Sequence, residues 1–281
     1  MFDTLLVHPT TRFMLEAYAK QPPQGMLLVG PEGVGKLTLA NRWAAAVSDH
    51  HGEAVTVVAP DEKGSISIET VRGLYRTARS KRAERQVIII DHAEVMSSEA
   101  QNAFLKLLEE PRAGVTFILT APLHEALLPT ILSRLQVVPV QPVADESLRE
   151  FLAQQNIALP AKDLLQLLFI ARGRPATAMR LQTDPTVFGD ERSLMQQAKE
   201  LLTAPRYTRL AGIPALSANR EQCVATLQAM QRIVALQLLK APGTSRLSQS
   251  VQLAEALDST LRALDNNGNA KAQLMHLFMQ Y

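Results

Sequence analysis

An α/β domain built on a parallel sheet, continued by an all-helical region, is what this 281-residue sequence predicts. Three observations predict it. Short, unbroken apolar runs recur at 26–29, 87–90, 115–119 and 137–140, with helix-spaced segments between them, and strands that read this way are buried on both faces of a parallel sheet. The first run opens onto a glycine-rich loop and then a helix. After about Gln141 strand signals cease, and Glu146 to Tyr281 reads as amphipathic helix interrupted by Pro and Gly.

Bulk composition narrows the class. Hydrophobic residues make up 47% and charged residues 20%, which is the range of globular chains and excludes disordered and fibrous ones. The length fits two or three domains. A formal charge of +2 does not by itself mark a nucleic-acid protein, so basic clusters must be sought locally. The single cysteine, Cys223, excludes an internal disulfide and any zinc site built on two or more thiolates, and suits a reducing compartment. The N-terminal MFDTLLVHPT carries no basic leader before an apolar run, and no window approaches the roughly 20 apolar residues of a membrane helix. The expectation is a cytoplasmic protein with no membrane partner.

Taken in order, MLLV at Met26–Val29 reads as a strand, GPEGVGK as a loop, and LTLANRWAAAV as a helix. Gly30, Gly35 and Lys36, with Gly33 inside the loop, match the G-x-x-x-x-G-K phosphate loop in the context its mechanism requires: glycines free backbone N–H groups to face phosphates, and the lysine reaches the terminal ones. The next residue should carry a hydroxyl for Mg²⁺, but it is Leu37; Thr38 lies about 100° around the helix. Such a loop either holds ATP or ADP without turnover or binds nothing. Val87–Ile90 then delivers Asp91, the place for a metal-side carboxylate, and His92 stands where an active site places a glutamate to orient water. Losing a positioned base costs about 10² to 10⁴ in rate.

SSEAQNAFLKLLEE, closed by Pro111, reads as a helix; Val115–Leu119 and Val137–Val140 read as strands with a helical stretch between. The strongest later breaks are Gly173–Pro175 and Leu181–Asp190. They suggest domains at 1–143, 144–190 and 191–281. Between Glu69 and Arg85 stand six basic residues, Arg72, Arg76, Arg79, Lys81, Arg82 and Arg85, against Glu69 and Glu84. Arg72 and Arg76 share one helical face.

GPEGVGK, KGSISIETVRGL from Lys63, VIIIDHAEVMSSEAQNAFLKLLEEP from Val87 and FILTAPLHEALLPTILSRLQ from Phe117 together resemble the clamp-loader AAA+ ATPases, and among them the delta-prime subunits of bacterial DNA polymerase III. The C-terminal NNGNAKAQLMHLFMQ is similar too. The resemblance implies a AAA+ P-loop domain, a small helical lid and an all-helical collar. It implies a stator that does not hydrolyse ATP itself, working with clamp-loader ATPase and delta-type subunits in a five-membered hetero-oligomer that places a sliding clamp on primer-template DNA.

By the same resemblance Arg134, in Leu132-Ser133-Arg134-Leu135, is the arginine finger that reaches a neighbour's ATP in trans, with Leu135 in place of the family's cysteine and Ser133 a local cap. Arg72, Arg76 and, more weakly, Lys106 become DNA-backbone candidates. Ala176 falls where an active lid carries its phosphate-sensing arginine. Many members insert a four-cysteine zinc module after the phosphate-loop helix, whereas AVSDHHGEAVTVVAP bridges that gap without cysteine, and adjacent His50 and His51 lack partners at ligand spacing. No zinc is expected. An active clamp-loader motor and a standalone AAA+ DNA-binding scaffold are the alternatives.

Overall fold

A computed structural model of the chain describes residues 1–48, 55–79, 85–110, 112–155, 159–240 and 245–281. His50, His51, Lys81, Arg82, Glu84 and Pro111 lie outside the described residues. The chain divides into two compact units, Met1–Thr183 and Asp184–Tyr281.

The first unit begins with α1 (Pro9–Lys20), β1 (Gly25–Val29) and α2 (Lys36–Val47), followed by β2 (Val55–Val58), α3 (Ile68–Arg79) and β3 (Gln86–Ile90). Then come α4 (Ser98–Glu109), β4 (Val115–Ala121), α5 (Pro129–Leu132) and β5 (Gln136–Pro139). All strand pairs are parallel, in the order β2-β3-β4-β1-β5. The predicted apolar runs are β1, β3, β4 and β5: β3 and β4 are buried at every position, because helices cover both faces, whereas β5 is an edge strand in which only Val138 is fully buried. On one face Ile88, Phe117 and Leu119 pack with Phe104 and Leu107 of α4. On the other, Ile89 and Ile118 pack with Leu39 and Trp43 of α2. Phe104 and Phe117 meet edge-on, ring centroids 5.3 Å apart, an arrangement contributing about 0.5–1.5 kcal/mol beyond its area.

Two elements differ from the sequence expectation. The cysteine-free AVSDHHGEAVTVVAP segment, for which the sequence predicts no strand, contains β2, whose VTVV is a short edge strand with Val57 exposed, so it lacks the continuous burial that marks its neighbours. The helical stretch before β5 is only α5 and a single 3-10 turn at His124–Ala126, since Pro129 opens a helix that Ser133 and Arg134 end in tight turns.

Three further helices complete this unit: α6 (Asp145–Gln154), α7 (Ala161–Ala171) and α8 (Pro175–Thr183). Gly173 must be glycine. Its φ is +69°, and an added Cβ would lie 2.1 Å from the carbonyl oxygen of Val143, to whose N–H the Gly173 carbonyl is bonded at 2.7 Å. The second unit holds α9 (Pro185–Thr203), α10 (Arg206–Ala218), α11 (Arg220–Lys240), α12 (Ser245–Asp265) and α13 (Ala270–Gln280). The expected boundary at Asp190 moves to Asp184. Asp184 caps α9 through Oδ1, accepting from the Thr186 and Val187 N–H groups, and Pro185 at the first helical position suits a helix start, so the stretch read as a break is mostly helix. Leu274, Leu277 and Phe278 of α13 are buried, and Cys223 is buried in α11. No helix among the described residues is long and apolar enough to cross a membrane.

Candidate functional site

The loop between β1 and α2 is shaped by its glycines. Gly33 and Gly35 have φ of +79° and +94°, the left-handed region that glycine enters without steric cost. A Cβ on Gly30 would lie 2.2 Å from the Val140 carbonyl oxygen, and one on Gly33 would lie 1.8 Å from Thr177 Oγ1. The loop is therefore pressed between the exit of β5 and the start of α8. Thr177 N–H donates to the Gly33 carbonyl at 3.0 Å, and Arg174 Nη1 donates to the Glu32 carbonyl at 3.3 Å. Ala176 sits beside the helix N-terminus, its Cβ 3.8 Å from where a Gly35 side chain would begin. The position that the resemblance gives to a phosphate-sensing lid arginine thus faces the phosphate loop with a methyl group.

Lys36 is buried, and its Nζ donates to the carbonyls of Gly30 at 2.7 Å and Pro31 at 3.3 Å. Burial pulls its pKa below the ordinary lysine value; the carboxylates of Glu94, Glu32 and Asp91 oppose that effect. Leu37 packs against the core under β1, so nothing in its place offers an oxygen to a metal. Thr38, on the next face, lines an apolar cavity of about 280 Å³ with Leu5, Phe151, Pro175 and Met179. The loop glycines and Lys36 have the chemistry of a phosphate site, whereas Leu37 offers no oxygen to a Mg²⁺ shell.

At the end of β3, Asp91 Oδ1 accepts from Thr120 Oγ1 at 2.6 Å, and Thr120 Oγ1 accepts from the His92 N–H at 3.1 Å. His92 takes a left-handed backbone, φ 53°, and its Nδ1–H donates to Glu94 Oε1 at 2.9 Å. Its side chain is 41% exposed. Glu94 Oε2 is buried without a hydrogen-bond partner among the described residues. Sequence reasoning missed Thr120, Glu94 and Thr177. Thr120 was findable: it is the polar residue closing an apolar run on the strand beside β3, one step beyond the Ile90–Leu119 pair. Glu94 and Thr177 were not, because their roles depend on turns that bring non-neighbours to the loop. Among the described residues no group of three or more His, Cys, Asp or Glu is placed to hold a metal ion.

Arg134 stands apart from this cluster, at the outer end of α5. Its Nη1 donates to the Thr130 carbonyl at 2.8 Å and to Ser133 Oγ at 3.2 Å, and its Nη2 to Glu109 Oε1 at 2.9 Å. Ser133 Oγ caps the same turn by donating to the Thr130 carbonyl at 3.0 Å. Leu135 is buried against Gly25 and Leu108, which fixes the turn from the inside and leaves its neighbour Arg134 outside. Arg72 and Arg76 are exposed on α3, and Lys106 is exposed on α4. These helices pack together through buried Val71, Leu74 and Ala78 of α3 and through Tyr75, whose hydroxyl donates to the Ala103 carbonyl at 2.7 Å.

Residues 48–144 match the family model described as "DNA polymerase III, delta subunit". The chain is 35% identical over 186 residues to the DNA polymerase III subunit delta' of Pseudomonas aeruginosa, covering 57% of this chain and 56% of that one. It is 28% identical over 196 residues to a replication factor C small subunit of Haloarcula marismortui, covering 67% and 60%. The chain thus spans under two thirds of the length of either relative. A solved structure of a DNA polymerase III gamma subunit-related protein from Thermotoga maritima shares the fold, with a TM-score of 0.58 at 20% identity over 96% of this chain and 97% of that one.

Proposed function

We propose that this chain, which is a delta-prime-like member of the clamp-loader AAA+ family, acts as a stator that assists ATPase subunits in loading a sliding clamp on primed DNA and donates Arg134 in trans to a neighbour's ATP. The observation that carries the reading is the contrast between its two phosphate-directed cations. Lys36 is buried and turned onto the carbonyls of its own loop, while Arg134 is held at the surface by a fixed turn. An arginine finger acts by stabilising charge on the transferring phosphoryl oxygens, and its planar fork suits that task.

Its own nucleotide site is one for occupancy without turnover. The phosphates of a bound ATP or ADP would accept hydrogen bonds from the loop N–H groups and from Lys36, which must first leave the Gly30 and Pro31 carbonyls. Leu37 supplies no Mg²⁺ ligand, and His92, tied to Glu94, is not a carboxylate base. The purified chain is therefore expected to hydrolyse no ATP above background, and on mixing with clamp-loader ATPase and delta-type subunits to enter a five-membered complex detectable by native mass. Turnover by the isolated chain that Lys36→Ala removes would identify an active motor instead; failure to assemble would favour a standalone scaffold.

The exposed Arg72–Arg76 face is proposed to meet the DNA backbone within that complex. Phosphate contacts carry charge but no sequence information. Arg72→Ala should weaken primed-DNA binding about equally for all sequences and lower the slope of log K against log salt by roughly one unit. A loss confined to some sequences, measured by fluorescence anisotropy across a salt series, contradicts a phosphate contact.

A further inference from the structure

Glu109 closes α4, and a carboxylate in a helix's last turn faces the negative end of the helix dipole. Glu110 follows it, so two acidic side chains stand where basic ones are favoured. Helix stability does not account for Glu109; its partner does. Glu109 Oε1 accepts from Arg134 Nη2 at 2.9 Å, with both side chains reachable from solvent, Arg134 37% and Glu109 50% exposed. The other terminal nitrogen of the guanidinium is anchored on the Thr130 carbonyl and Ser133 Oγ. The plane of the fork is thus set by a backbone carbonyl and a serine hydroxyl, and one arm is held by a charge.

We propose that Glu109 is a latch on the finger: its carboxylate occupies the arm of Arg134 that a neighbouring subunit's terminal phosphate would take, so phosphate and carboxylate compete for the same N–H donors. This rests on the reading of Arg134 as a trans finger. Glu109 is a positioning residue, acting only through the arginine. The Nη1 anchors survive the exchange, so engagement needs the swap of one anionic partner rather than a refolded turn. An exposed ion pair is weak enough to be displaced by a phosphate, which carries more charge. The latch holds the finger down until a triphosphate is seated.

The test uses the full chain assembled with clamp-loader ATPase subunits, with native mass confirming the complex. Glu109→Gln should raise ATP turnover without DNA or clamp by roughly two- to five-fold and leave the half-saturating ATP concentration nearly unchanged. The gain should shrink when primed DNA and clamp are present, because those conditions already favour the engaged finger. The double variant Glu109→Gln/Arg134→Ala should turn over at the rate of Arg134→Ala alone. An unchanged or reduced unstimulated rate in Glu109→Gln overturns the latch while leaving the finger standing if Arg134→Ala is crippled. A gain that persists in the double variant shows Glu109 acting without the arginine and also overturns it. A wild-type rate in Arg134→Ala removes the finger reading and the latch with it.

Discussion

Arg134→Ala is expected to leave the chain folded and assembled while the neighbouring nucleotide site loses roughly 10³-fold or more in turnover. The first half of that expectation follows from the arginine's surroundings. Its partners are a backbone carbonyl, a serine hydroxyl and an exposed carboxylate, and exposed ion pairs contribute only about 0–1 kcal/mol to stability. Leu135, not Arg134, anchors the turn in the core. The second half follows from where the charge acts. A cation that contacts the phosphoryl group only as its charge redistributes lowers the barrier without tightening ground-state binding, so the rate constant should fall far more than the affinity for ATP. Arg134→Lys should recover little, since an ammonium lacks the two-pronged geometry. DNA-stimulated ATPase of complexes assembled with each variant measures this. Intact complexes of the alanine variant that turn over at the wild-type rate would reduce Arg134 to a helix-end structural residue.

Phe104→Ala should destabilise the first unit by about 3–5 kcal/mol, a large part of the 5–15 kcal/mol that usually separates folded from unfolded states. Phe104 is fully buried on α4, edge-on to Phe117 in the middle strand of the sheet. Truncation removes that ring contact and leaves a cavity that neighbouring strands, buried on both faces, are poorly placed to fill. Phe104→Leu, which keeps most of the volume, should cost far less. Trp43 provides the readout. It is the one tryptophan in the chain, it is buried in the same unit on the opposite face of the sheet, and its indole N–H donates to the Leu15 carbonyl at 2.9 Å. Its fluorescence in a urea titration follows this unit alone, which matters because a two-unit chain need not unfold in a single step. A loss below about 1 kcal/mol for the alanine variant would mean that the core relaxes around the missing ring.

The sequence by itself determined the elements whose pattern is local. Apolar runs named β1, β3, β4 and β5, most clearly β3 and β4, because strands covered on both faces need no polar alternation, and G-x-x-x-x-G-K named the loop, whose Gly33 and Gly35 take positive φ values that glycine enters without steric cost. Leu37 and His92 were equally legible, each a wrong side chain at a position where the chemistry allows few. Tertiary structure alone decided the rest. β2 was hidden because its four residues are broken by a threonine and bury only Val58, whereas β5, the other edge strand, was legible from its valines although it too is mostly exposed. The boundary at Asp184 was hidden because Asp-Pro begins a helix as readily as it marks a break. That Lys36 bonds to its own loop, that Thr120 joins Asp91 to His92, and that Thr177 leaves room only for glycine at position 33 all depend on side chains from separate elements meeting at one end of the sheet. So does the pairing of Glu109 with Arg134: 25 residues separate them in sequence, and only the packing of α4 and α5 beside the sheet brings the carboxylate to the guanidinium.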